Sequence, residues 1–132
     1  MAAPNSVRLY LVIKDAALNF PSSYDFLEKF GIEPVEEDES INLFRYIKNS
    51  QSGEVEIDIS FSEIMKSFQI TLRISGREIS TVSSESVRSI KFFSDDSGEG
   101  LHVIFDINKA VSEARVVFEP DISFRWWTLS DA

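Results

Sequence analysis

From Ile41 onward, apolar residues recur at every second position inside short segments bounded by turn residues, and this alternation constrains the fold more than anything else in the chain. A period of two is the strand period, because successive side chains of an extended backbone point to opposite faces. The predicted strands are 41–48, 54–61, 67–75, 77–82, 87–94, 100–107, 113–118 and 122–129. Turn chemistry at Asn49 to Gly53, Ser75-Gly76, Asp95 to Gly100 and Glu119-Pro120-Asp121 separates them. Links this short join antiparallel neighbours, since a parallel crossover needs about a dozen residues or more.

Parity supports the pairing. If Phe61 lies opposite Phe68, then Ile59 meets Ile70, Ile57 meets Leu72 and Val55 meets Ile74, so one register buries all eight. A two-residue turn at Ser75-Gly76 sets Leu72 against Ile79. Across the Pro120 turn, Phe118 faces Ile122, Val116 faces Phe124 and Ala114 faces Trp126.

Ahead of the meander, residues 7–13 read as a first strand, and Lys14 to Phe20 as a short helical turn before Pro21. A helix follows. Ser22 or Ser23 caps it, Asp25 and Glu28 suit its N-terminal end, Tyr24, Phe26, Leu27 and Phe30 repeat at helical spacing, and Gly31 stops it. The segment Glu33-Pro34-Val35-Glu36-Glu37-Asp38-Glu39, with its proline and like charges, reads as an exposed loop.

Strands 87–94, 100–107 and 122–129 carry apolar residues on both faces, so a cover is expected on each side, the helix supplying one. The fold class expected is therefore β-rich α+β: a strongly curled antiparallel meander of eight or nine strands, barrel-like in the limit, with one amphipathic helix after the first strand. Residues 1–132 are expected to form one domain. The order strand, helix, long meander resembles in shape the small intracellular lipid-binding barrels, although their Gly-x-Trp signature is absent near the first strand.

Charge narrows the partners. The chain carries 13 Lys and Arg against 22 Asp and Glu, a net −9. Residues 33–66 hold nine acids and three bases, so most of the excess sits there. Such a field repels phosphate backbones and anionic membranes and steers basic partners inward. Direct nucleic-acid binding is not expected. The absence of cysteine removes disulfides, thiolate metal sites and cysteine nucleophiles, and fits a reducing, cytoplasmic setting. Leu9-Tyr10-Leu11-Val12-Ile13 is shorter than a signal-peptide core, and no stretch approaches the roughly 20 apolar residues of a membrane helix.

Several constellations invite a chemical reading. The single histidine, His102, falls near Glu119 in the inferred register, a His–carboxylate pair in reach of general-base work. An ordinary half-exposed strand histidine is the stronger reading, because no nucleophile accompanies it. Glu54, Glu56 and Asp58 share one strand face about 6.6–6.8 Å apart, a separation that overlaps carboxylate pairs of glycosidases. Catalytic pairs normally sit on different elements across a cleft, however, and Glu56 and Glu78 both fall beside Arg73, which makes a charge ladder the plainer account. Asp95 to Gly100 lacks the length and terminal Glu of a helix-loop-helix calcium site and reads as a hairpin turn. No pattern points to a cofactor or a metal.

On the outward face of the last strands, Arg115 and Arg125 fall opposite each other beside Asp106 and Trp127, and Trp and Arg are the types most enriched at binding hot spots. The expectation is a non-enzymatic acidic binding protein that neutralises a basic protein partner, in the manner of an inhibitor or immunity protein against a nuclease-type toxin. Candidate contact residues are Glu36, Glu37, Asp38, Glu39, Glu54, Glu56, Asp58, Arg115, Arg125 and Trp127. The alternative is a carrier of a lipid-like small molecule in a barrel interior lined by Phe61, Phe68, Phe92, Phe105 and Phe118. A carboxylate hydrolase using His102 ranks third.

Overall fold

The computed structural model describes residues 19–129. The predicted first strand at 7–13, and most of the turn after it, lie outside them.

Helix α1 spans Ser23–Phe30. Its start is a capping box: Ser22 Oγ accepts from the Asp25 N–H at 3.1 Å, and Asp25 Oδ2 accepts from the Ser22 N–H at 2.9 Å, which satisfies two donors the helix cannot pair internally. Gly31 ends it in the left-handed region, φ 68°, with its N–H donating to the Leu27 carbonyl. Cap and stop stand where the sequence puts them.

Nine strands follow among the described residues, all paired antiparallel: β1 Glu36–Asp38, β2 Leu43–Asn49, β3 Val55–Ser62, β4 Ser67–Ile74, β5 Arg77–Ser84, β6 Val87–Asp95, β7 Gly98–Ile107, β8 Ala110–Glu119 and β9 Ser123–Leu129. The β3–β4 register is the one parity demands, with Phe61 opposite Phe68 and Val55 opposite Ile74. Val116 meets Phe124, Ala114 meets Trp126 and Arg115 meets Arg125, again as expected.

Four expectations need correction. The acidic segment is not simply a loop, since Glu36–Asp38 adds an edge strand to β2. The meander is not one curled sheet: between β5 and β6 the ladder breaks, leaving a five-stranded sheet in the order β1-β2-β3-β4-β5 and a four-stranded sheet in the order β6-β7-β8-β9. The described strands do not close into a barrel. A long twisted sheet with one apolar face buries it efficiently by dividing and packing the halves together. A bulge between Leu72 and Arg73 places Leu72 opposite Ser80, not Ile79, and leaves Ile79 exposed. A second bulge, between Glu99 and Gly100, shifts the β7–β8 register, so His102 faces Arg115 and lies 3.7 Å from Glu113 while Glu119 pairs with Lys48.

The core lies between the sheets. Ile57, Ile59, Phe61, Phe68 and Ile70 from one sheet meet Val87, Ile90, Leu101, Val103, Phe105, Val116 and Phe118 from the other in a single cluster. Phe68 and Phe105 touch across the gap at 6.1 Å between ring centroids, and Trp126 stacks on Phe105 at 4.4 Å. The helix does not cover an outer face of the four-stranded sheet. It plugs one end of the sandwich, with Phe26 stacked on Tyr46 of the first sheet at 3.9 Å and edge-on to Phe92 of the second at 5.1 Å, and Phe30 edge-on to Phe118 at 4.8 Å. The phenylalanines expected to line a ligand chamber are thus packed into the core, Phe68 on Phe105, Phe61 and Phe92 on Phe26, and Phe118 on Phe30. No helix among the described residues is long and apolar enough to cross a membrane.

Candidate protein-binding surface

Strand alternation decides where the acidic run goes. Glu36 and Asp38 occupy positions of β1 opposite Arg45 and Leu43, on the outer face of the five-stranded sheet, whereas Glu37 points the other way, toward the helix. Asp38 is partly occupied locally, accepting from the Ser40 N–H at 3.0 Å and from Ser40 Oγ at 2.6 Å.

On that outer face a charged network crosses four strands. Arg45 on β2 donates to both oxygens of Asp58 on β3, Nε to Oδ1 at 2.8 Å and Nη2 to Oδ2 at 2.7 Å, the bidentate geometry that suits a guanidinium. From the opposite flank Arg73 on β4 donates through Nη1 to Asp58 at 2.9 Å and to Glu56 at 2.6 Å, and Glu36 stands 3.8 Å from Arg45. The Asp58 side chain is only 8% exposed, yet it stays ionised, because the Arg45 hydrogen bonds outweigh the burial that opposes charge and hold its pKa below the ordinary carboxylate value. Reciprocally, the hydrogen bond to Asp58 raises the pKa of Arg45.

The network floors a shallow polar depression shared with Ser60, Gln69, Thr71, Glu78 and Thr81. Its charged members are Arg45 and Arg73 against Glu36, Glu56, Asp58 and Glu78, so carboxylates remain in excess after both guanidiniums are engaged. Preordered side chains on a rigid sheet make a surface that loses little entropy on binding. Sequence reading placed Glu56, Asp58, Glu78 and Arg73 together but missed Arg45, whose parity with Asp58 across the β2–β3 turn carried the signal.

The other candidate residues do not join this surface. Glu54 lies in the β2–β3 turn, exposed. Arg115, Arg125 and Trp127 sit on the outer face of the four-stranded sheet. There Arg115 donates to Asp95 at 2.5 Å and to Ser97 Oγ at 2.7 Å, and its guanidinium lies 3.9 Å above the Phe93 ring, while Asp106 is held by Arg88. Asp106 falls opposite Val111, and Arg115 is instead engaged by Asp95 at the end of β6. Arg125 lies 5.6 Å from the Trp127 ring, so two cation–π contacts lie on the second apolar face, which the helix does not cover. Among the described residues, Glu56 and Asp58 are engaged by Arg45 and Arg73 on an open sheet face, and His102 lies opposite Arg115 on the neighbouring strand. Among the described residues no cluster of three or more His, Asp or Glu side chains is arranged to hold a metal ion.

No family model matches the sequence, and no curated protein matches it. Among solved structures, the fold is similar to one chain of a contact-dependent growth inhibition toxin–immunity protein complex from Klebsiella pneumoniae 342. The TM-score is 0.77 at 23% sequence identity, over 85% of this chain and 97% of that one.

Proposed function

We propose that this chain is an immunity-type protein that acts by binding and neutralising a basic toxin domain, without catalysis of its own, in the cytoplasm of the cell it protects. The observation that carries the reading is the likeness in fold to a chain of a toxin–immunity complex, extending over nearly all of that chain. Charge then selects the role. A toxin domain that attacks nucleic acid needs a basic surface, and the protein that occludes it needs the complement, which a net −9 chain with an acidic sheet face supplies. The contact face is the outer surface of the five-stranded sheet around Glu36, Glu56 and Asp58, with the β1 edge beside it. Arg115, Arg125 and Trp127 are left out of it, since they belong to the other sheet and Arg115 is already held by Asp95.

The test is co-expression with a basic toxin domain recovered as a stoichiometric partner of the chain from its native host. Protection of growth, together with a stoichiometric complex on size exclusion, is the expected result. Undiminished killing in cells that contain the folded chain would sink the reading.

A further inference from the structure

Two large apolar side chains remain exposed on the outward side of α1, Tyr24 at 67% and Leu27 at 46%. Phe26 and Phe30 serve the core from the same helix, so Tyr24 and Leu27, three residues apart, form a separate stripe that no described element covers. Tyr24, Leu27 and Pro34 floor a groove of about 450 Å³ between the helix and β1, and its remaining lining is Ser23, Glu33 and Glu37. No arginine or lysine is among these lining residues. Among the described residues, Lys29 on the same helix is paired with Glu99 at 3.4 Å, and Arg45, opposite Glu36 on β2, is paired with Asp58.

An apolar floor between two carboxylates matches one kind of side chain, a long hydrocarbon stem that ends in a cation. Between the two natural candidates the aromatic ring favours arginine, whose planar guanidinium stacks on Tyr24 while its fork of donors reaches both Glu33 and Glu37. We propose that the groove between α1 and β1 is an anchor pocket for an arginine side chain of the basic protein partner, an inference that rests on the inhibitor reading above. Leu27 and Pro34 take the methylenes, Tyr24 takes the guanidinium face, and Glu33 and Glu37 take its edge. Strand parity sends Glu37 here while Glu36 serves the sheet face, so the acidic run feeds two adjoining contacts.

The experiment titrates the full chain, labelled with nitrogen-15, with N-acetyl-arginine N-methylamide, and in parallel with the citrulline analogue, which keeps the stem and lacks the charge. Saturable shifts confined to the amides of Tyr24, Leu27, Glu33 and Glu37 are expected with arginine, with at least tenfold weaker binding of citrulline. Tyr24→Ala and the pair Glu33→Gln with Glu37→Gln each weaken the arginine titration at least fivefold, with unchanged circular dichroism. Equal binding of the two probes, shifts centred on Asp58 and Glu78, or an unaffected double Gln variant would overturn the proposal. So would a concentration-dependent dimer that Tyr24→Ala dissociates, because the occupant would then be a second copy. The probe needs no toxin, so a chain that protects cells but ignores arginine loses only the pocket, and one that binds arginine here but protects nothing loses only the inhibitor reading.

Discussion

Replacing Asp58 with asparagine tests the network on the sheet face directly. The carboxylate accepts three charge-assisted hydrogen bonds at 2.7–2.9 Å while almost fully shielded from water. Hydrogen bonds to charged groups contribute about 1.5–3 kcal/mol each, but Arg45 and Arg73 are partly exposed and regain water when released, so the loss is well below a threefold sum. An amide keeps one acceptor and turns an N–H₂ toward two donors, giving a destabilisation of about 2–3 kcal/mol. With a urea dependence of about 1–3 kcal/mol per molar, the unfolding midpoint falls by about 0.7–3 M at neutral pH. The pH dependence has a definite sign. The folded-state pKa of Asp58 is depressed, so its contribution is complete above the ordinary carboxylate pKa and fades as pH falls through the lower, folded value. Urea titrations of the wild-type and Asp58→Asn proteins therefore diverge at pH 7 and converge in acid. A variant within about 0.5 kcal/mol of wild type at neutral pH, or a gap that persists undiminished in strong acid, would refute the assignment.

Other perturbations separate fold from binding. Phe61→Ala removes a 1% exposed ring that meets Phe20, Phe26, Phe44 and Tyr46, and should cost about 3–5 kcal/mol in denaturant unfolding. Gly100→Ala drives a methyl group into the backbone of Val116 and should cost at least about 2 kcal/mol by thermal unfolding, in the range of overpacked sites. Reversing Glu36, Glu37, Asp38 and Glu39 to lysine should slow association with the toxin domain about tenfold by surface plasmon resonance, an effect erased at high salt, while Trp127→Ala leaves that rate unchanged. His102→Ala should leave protection of growth intact, since its neighbour Glu113 at 3.7 Å serves no second reacting group.

The elements of the fold were legible wherever a local rule acts alone. Period two placed the eight longer strands, and a serine, an aspartate and a glycine bounded the helix. The errors arose where non-local packing overrides the pattern. Ile79 and Phe118 are the extra residues of two bulges, and an unpaired residue leaves no mark in an alternating sequence. Glu36–Asp38 has the composition of a loop yet pairs because β2 offers an open edge that Val35 already meets through the Arg45 carbonyl. The division into two sheets follows from which apolar faces meet, a property of the assembled chain. For the site, same-strand neighbours were readable, as with Glu56 and Asp58, whereas the groove needs a helix and a strand brought together, so Tyr24 and Leu27 pass in the sequence for ordinary members of an amphipathic helix.

Each sheet is a continuous stretch of chain, 36–84 and 87–129, and only Glu85 and Ser86 join them. Every ladder can therefore zip from a hairpin turn outward, with a small loop-closure cost at each step, and neither half waits on the other. The encounter that does span a long separation is the meeting of the two apolar faces, where Phe68 finds Phe105 and α1 seats Phe26 against both. Expulsion of water from that shared layer is the step at which the halves become interdependent. Lesions in the layer should then slow folding, while lesions in a single turn are felt by one hairpin, and the Glu85–Ser86 link is the seam at which the chain best tolerates added length.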